Sequence, residues 1–309
     1  MKMTHHCCHV QKQSKLRTRS REDYNIIKKR VTSKEKMVLI PKGSFLMGTN
    51  GTEGFVSDFE GPVREVEVES FWIDQYAVTN KQFNEFIEET KYITDAERYG
   101  WSFVFHLLVD EGVKSGIQYI AEQTPWWWMV NHANWKQPEG LGSTIENRMN
   151  HPVVHISWKD ANAYCQWAGK RLPFEEEWEY AARGGLEQAL YPWGNELLVK
   201  GEHQCNIWQG EFPHYNTGID GFIGTAPVDS YSANGFGLYN VSGNVWEWCQ
   251  NSFTQGKSTQ DGNKAIRGGS YLCHDSYCNR YRVAARSFNS IDSSTGHLGF
   301  RCVANLEGE

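Results

Sequence analysis

Apolar and polar positions repeat with recognisable periods up to about residue 185 and with almost none beyond. Met37-Val38-Leu39-Ile40 is a short apolar run closed by Pro41 and Gly43, which suits a buried strand opening the folded body. Along residues 64–69 acids alternate with Val66 and Val68, and Phe71, Trp72 and Ile73 follow, the pattern of a half-buried strand. Thr79 is placed to cap a helix whose Phe83, Phe86 and Ile87 fall at i, i+3 and i+4. Ser157 is the cap of a second helix, in which Ala161, Tyr164, Cys165 and Ala168 share one face and Gly169 ends the run. Pro173 is expected to start a third, with Glu175, Glu176 and Glu177 in the first turn, where the helix dipole favours acids, and Gly184-Gly185 as its stop. Past Gly185, aromatic clusters alternate with Gly and Asn turns. The pattern predicts one loop-rich α+β domain over 37–309, with low regular secondary structure and neither an internal repeat nor a linker. Loops of that length need pinning by metals, disulfides or buried tryptophans.

Composition adds what does the packing. The 309 residues include 13 Trp, 14 Tyr and 15 Phe against 9 Pro, so aromatic side chains can hold the loops. A hydrophobic share of 39% excludes disorder throughout, a collagen-like chain and a coiled coil. No window offers the ~18 consecutive apolar residues of a membrane helix, and no membrane partner is expected. Charge is uneven. Residues 1–36 carry eleven Lys and Arg against Glu22, Asp23 and Glu35, a surplus of eight. With a net charge of −6 overall, the rest carries −14. A basic, solvated, disordered tail over 1–36 is expected on an acidic body, which is a poor binder of nucleic acid and better suited to a basic peptide. The tail lacks the apolar core of a signal peptide, so a cytoplasmic location is expected. Its His5, His6, Cys7, Cys8 and His9 can chelate a soft metal, although such terminal clusters are more often adventitious.

Three constellations carry candidate chemistry. In Arg267-Gly-Gly-Ser-Tyr-Leu-Cys273-His-Asp-Ser-Tyr-Cys278-Asn-Arg-Tyr-Arg282, two thiols converge if the loop between them turns. They read as a soft-metal or redox site, as a local disulfide, or as unrelated core cysteines; a reducing compartment disfavours the disulfide. Asn206, Asp220, Asn240 and Glu247 stand among glycines, an arrangement that builds either hard-oxygen calcium cages or ordinary turns. Cys165 lies on a predicted helix and Cys302 near the chain end; a long-range bridge is one reading, and two buried free thiols, which a reducing cytosol favours, the other. Walker loops, G-x-S-x-G, H-E-x-x-H and paired C-x-x-C are absent from the sequence.

From Met37 to Cys302 the chain resembles the formylglycine-generating enzymes, the sulfatase-modifying factor family of the C-type-lectin-like superfamily. The residues that carry the resemblance are Ser270-Tyr-x-Cys-His-x-Ser-Tyr-Cys278, Trp126-Trp127, His155-Ile-Ser-Trp158, Trp167-Ala-Gly-Lys-Arg-Leu-Pro173, Asn206-Ile-Trp-Gln-Gly-Glu-Phe-Pro213, Gly243-Asn-Val-Trp-Glu-Trp248 and Gly299-Phe-Arg-Cys302. The resemblance implies a copper-dependent oxidase that converts the cysteine of a sulfatase Cys-x-Pro-x-Arg segment, unfolded or nascent, to Cα-formylglycine with O2. It implies Cu(I) on Cys273 and Cys278, with Ser270 and Tyr277 lining the pocket, Trp246 packed beside it and Arg286 supporting the loop. It implies calcium on Asn206, Ile207, Asp220 and Phe222, and on Asn240, Gly243, Val245 and Glu247, and a monomer.

Departures from the family accompany it. The second disulfide of secretory relatives would fall on Ala182 and Val283, and their substrate-groove acids on Ala77 and Trp101, while Ser102 matches and His297 replaces an Asn. Ser102 and His297 are therefore the expected substrate contacts. Two alternatives are a non-haem iron sulfoxide synthase of the same superfamily, whose helical domain and His-rich motif are missing here, and a non-catalytic binding module.

Overall fold

The computed structural model describes residues 33–255 and 258–306, with the backbone alone described at 255 and 258–261. Most of the expected tail, its histidines and cysteines included, lies outside the described residues. Strand β1 (Met37–Ile40) pairs antiparallel with β4 (Phe71–Asp74), whose other edge takes β15 (Val303–Ala304). The first and last strands of the body thus flank one central strand.

Strands β2 (Gly43–Met47) and β3 (Arg64–Val68) form a separate hairpin. The half-buried strand expected across 64–73 is therefore two strands in two sheets. Val68 and Phe71 enter the same core cluster, and residues three apart point to opposite faces of one continuous strand, so the chain must turn between them.

The helices follow their caps. Thr79 and Gln82 form a reciprocal capping box for α1 (Asn80–Thr90), which buries Phe83 and Phe86. After it come α2 (Asp95–Tyr99) and α3 (Glu111–Lys114), with β5 (Trp101–Phe105) between them pairing β6 (Trp127–Asn131). Ser157 and Asp160 box the start of α4 (Trp158–Trp167), and Gly169 takes the left-handed conformation just beyond its end. Helix α5 (Glu175–Arg183) starts later than Pro173 predicts: Phe174 is its N-cap, and the carbonyl of Pro173 accepts a bond from the Gln250 N–H instead.

Residues 198–216 contribute two small hairpins, β7 (Leu198–Val199) with β8 (Glu202–His203) and β9 (Gly210–Glu211) with β10 (Tyr215–Asn216). The stretch that showed no periodicity also holds the largest sheet. Strands β11 (Trp246–Gln255) and β12 (Ser258–Arg267) form a hairpin flanked by β13 (Arg286–Ser290) and β14 (Leu298–Gly299). Trp246, Glu247, Trp248 and Cys249 are buried in succession, so no alternation marks the strand. Six tryptophans, Trp127, Trp135, Trp178, Trp208, Trp246 and Trp248, are among the largest fully buried side chains, which bears out the aromatic packing. Several buried charges are paired: Glu247 takes both Arg301 and the Trp178 indole N–H, and Glu179 takes Arg183 and Arg267. Among the described residues no helix is long and apolar enough to cross a membrane.

Candidate active site

The thiol loop hangs from the end of β12. Gly269 has φ +74°, and a Cβ there would lie 2.8 Å from the Arg280 carbonyl oxygen, so the two sides of the loop approach as closely as glycine allows. The Cys273 N–H bonds the Ser270 carbonyl at 2.9 Å, and the Cys278 N–H bonds that of His274 at 2.7 Å. These turns bring Cys273 Sγ to 3.0 Å from Cys278 Sγ. They are thiols rather than a disulfide, each 1% exposed. The Ser270 N–H points at Cys273 Sγ from 3.4 Å, and Arg280 Nη1 lies 3.8 Å from Cys278 Sγ.

A strap from far upstream braces the loop. Arg280 bonds Asp58 through Nε at 2.5 Å and Nη2 at 3.0 Å, Arg282 bonds both Glu60 oxygens at 2.6 Å, and the Asn279 amide donates to the Glu53 carbonyl at 3.0 Å. Burial pushes the Asp58 carboxyl above its usual range, against the opposing pull of Arg280. Arg286 also touches the strap, at the Phe59 carbonyl, but its main partner is Glu175, which it bonds through Nε and Nη2.

Above the thiols opens a cleft walled by Trp126, Trp127, Phe212, Tyr277 and His297, with Ser270 among its lining residues. Tyr277 stacks on Phe212 with centroids 4.5 Å apart and meets the edge of Trp126 at 4.7 Å, so three half-buried rings cover the sulfurs. Trp246 lies in the same core cluster as both cysteines, and its N–H bonds the His297 carbonyl. His297 rests on Trp127 and pairs through Nδ1 with Thr295 Oγ1 at 2.7 Å; burial pulls its pKa down to about 3, so the ring is neutral at physiological pH. Ser102 does not line this cleft. It is fully buried, with its hydroxyl 2.8 Å from both His155 Nδ1 and Ser294 Oγ, and it props the segment before His297 from behind. Trp126, Phe212, Arg280 and Asp58 are site residues to which sequence reading gave no role.

The first oxygen set is gathered. Asp220 accepts from the Ile207 and Phe222 N–H groups at 3.0 Å each, and the Gln209 amide nitrogen sits between the Asp220 carboxylate and the Ile207 carbonyl. Asn206 Oδ1 is buried there without a partner. A cluster of acceptors with an orphaned amide oxygen fits a hard cation. The second set fits less well. Asn240 Oδ1 is likewise orphaned, and Gly243 and Val245 follow it, but the charge of Glu247 is already met by Arg301.

A model of the sulfatase-modifying factor enzyme 1-like domain matches residues 23–306. The chain belongs to that family. It is 56% identical over 283 residues to a formylglycine-generating enzyme of Thermomonospora curvata, covering 87% of this chain and 93% of that protein. It is 52% identical over 280 residues to the formylglycine-generating enzyme of Bos taurus, covering 87% and 75% respectively. Among solved structures it resembles PvdO from Pseudomonas aeruginosa, with TM-score 0.62 and 23% identity over 87% of this chain and 94% of that one, a likeness of fold.

Within this sulfatase-modifying factor enzyme 1-like domain, the remaining cysteines divide. Cys165 and Cys302 are buried free thiols with sulfurs 3.4 Å apart, and burial pushes the Cys302 thiol well up. Ala182 and Val283 share one buried apolar cluster, so the position of the absent second disulfide is filled by ordinary packing. Ala77 is buried against Val154 and Val245, and Trp101 packs on Phe103; neither offers a charge to a substrate.

Proposed function

We propose that the chain is a formylglycine-generating enzyme: it converts the cysteine of a sulfatase Cys-x-Pro-x-Arg segment to Cα-formylglycine, with O2 as oxidant and Cu(I) held by Cys273 and Cys278. The observation that carries this reading is the pair of buried thiols 3.0 Å apart beneath an aromatic cleft, in a chain 56% identical to an enzyme of that name. Two soft donors suit a soft monovalent ion. Among the described residues, no group of three His, Cys, Asp or Glu converges into a cage, so the thiols stand as a pair. Copper there would supply the O2 and electron chemistry that side chains lack, with a place for the substrate thiol as a further soft ligand.

The protein's own residues do the rest. Trp126, Phe212 and Tyr277 exclude water from the sulfurs and offer flat apolar surface to an extended peptide. The neutral His297 and Ser270 present polar groups at the cleft wall without adding charge. Calcium on Asn206, Ile207, Asp220 and Phe222 would tie down the loop that delivers Phe212; the set around Asn240 is the weaker candidate.

The test is to incubate Cu(I)-loaded protein with a Cys-x-Pro-x-Arg peptide in air and read the peptide's mass. Loss of the thiol in favour of a hydrazine-trappable aldehyde is expected. Cys278→Ser should abolish turnover in a protein that still folds, with a midpoint lowered somewhat by the hydroxyl placed in the core, and full activity in that variant would remove the copper assignment.

A further inference from the structure

Two thiolates and one monovalent cation make a centre of net charge −1, and both sulfurs here are 1% exposed. A charge stripped of water is costly unless a counter-charge meets it. Arg280 brings a cationic side chain to the pair, with Nη1 3.8 Å from Cys278 Sγ, while a backbone N–H points at Cys273 Sγ. Arg280 is itself 2% exposed, and its position is fixed from the other side. The Nε–Nη2 edge is bonded to Asp58, the guanidinium lies 4.2 Å from the Phe55 ring centroid, and Nη1 reaches to 3.8 Å from the Cys278 sulfur. Arg282–Glu60 and Asn279–Glu53 clamp the strap on either side, so the fork cannot drift along the loop.

We propose that Arg280, aimed by Asp58 on the 53–60 strap, is the counter-charge that lets the thiol pair hold a soft monovalent cation. Asp58 is then a positioning residue that acts through Arg280 from 222 residues away in sequence. This rests on the reading of the pair as a soft-ion site, and the test separates the two. Metal-free protein is titrated with Cu(I) against a chromophoric Cu(I) chelator. Four proteins are compared: the natural chain, Arg280→Met with Asp58→Leu, Arg280→Lys, and a control with Arg282→Met and Glu60→Leu. Replacing a buried ion pair by apolar side chains of similar size tends to preserve the fold.

The natural chain should bind one ion. The Arg280/Asp58 pair variant should bind at least tenfold more weakly. Arg280→Lys, which keeps the charge but cannot bridge Asp58 and sulfur, should fall between. The control should match the natural chain. A folded Arg280/Asp58 pair variant with undiminished affinity overturns the counter-charge proposal. If that variant does not fold, the charge-removing Arg280→Gln is titrated in its place, and an affinity equal to that of the natural chain overturns the proposal. No binding by the natural chain strikes the soft-ion reading itself.

Discussion

Cys165 and Cys302 sit 3.4 Å apart at the sulfurs with no metal role to explain them. Joined, they would close a loop spanning 137 positions, worth about 4–5 kcal/mol in chain-entropy terms. Oxidised protein should therefore melt several degrees above reduced protein, and Cys165→Ala should erase the difference; equal midpoints would show that bridging strains the native packing. At this scale the sequence was legible where a residue type announces its chemistry. Cys273 and Cys278 were singled out that way, whereas His297 came only from the resemblance. So did Ser102, whose burial went unforeseen because resemblance carries position and not burial, and its hydroxyl is consumed by His155 and Ser294. Arg280 and Arg282 left a faint signal: they repeat the two-residue spacing of Asp58 and Glu60, their partners across the fold.

Helix α2 docks on α4 through one carboxylate. Asp160 Oδ1 accepts the Asp95 N–H and the Tyr92 hydroxyl, each at 3.0 Å, while Oδ2 accepts the Ser157 N–H at 2.9 Å. Burial, with the Asp95 carboxylate second, pushes Asp160 up to about 7. Its unfolded value is about 3.9, so the native state keeps a proton that the unfolded chain releases. Stability from this group is therefore gained as pH falls from about 7 toward 4 and lost as pH rises through that window. Asp95→Asn removes the neighbouring charge and should shrink the difference in melting temperature between pH 5 and pH 8; an unchanged difference would absolve the pair. Elements with one buried face, such as α1 and α4, were readable from their spacing and caps. Strands β11 and β12 were not, because β11 buries both faces near Trp246 and because Glu247 and Arg267, opposite each other in register, are charged residues in the interior.

The acidic body as a whole leans on contacts between distant loops, and calcium belongs at this scale. If the set around Asp220 holds the ion, a chelator should lower the melting temperature, since a ligand of the native state stabilises it by mass action. No shift would return residues 206–222 to turns held by their own hydrogen bonds through Gln209, Asn216 and Asp220. The aromatic packing was legible from composition, whereas the strap's position over the thiol loop was not, because nothing local records a contact made 222 residues away.

Strand β15 lies against β4 beside β1, and just ahead of it Arg301 meets Glu247 and the Cys302 N–H meets Asp74. A chain halted after Phe300 has every residue of the cleft, yet Glu247 is left as an uncompensated buried charge and one edge of β4 is bare. Such a truncation should emerge insoluble, and a soluble, compact product would refute this. The cleft therefore depends on a strand that contributes nothing to its lining.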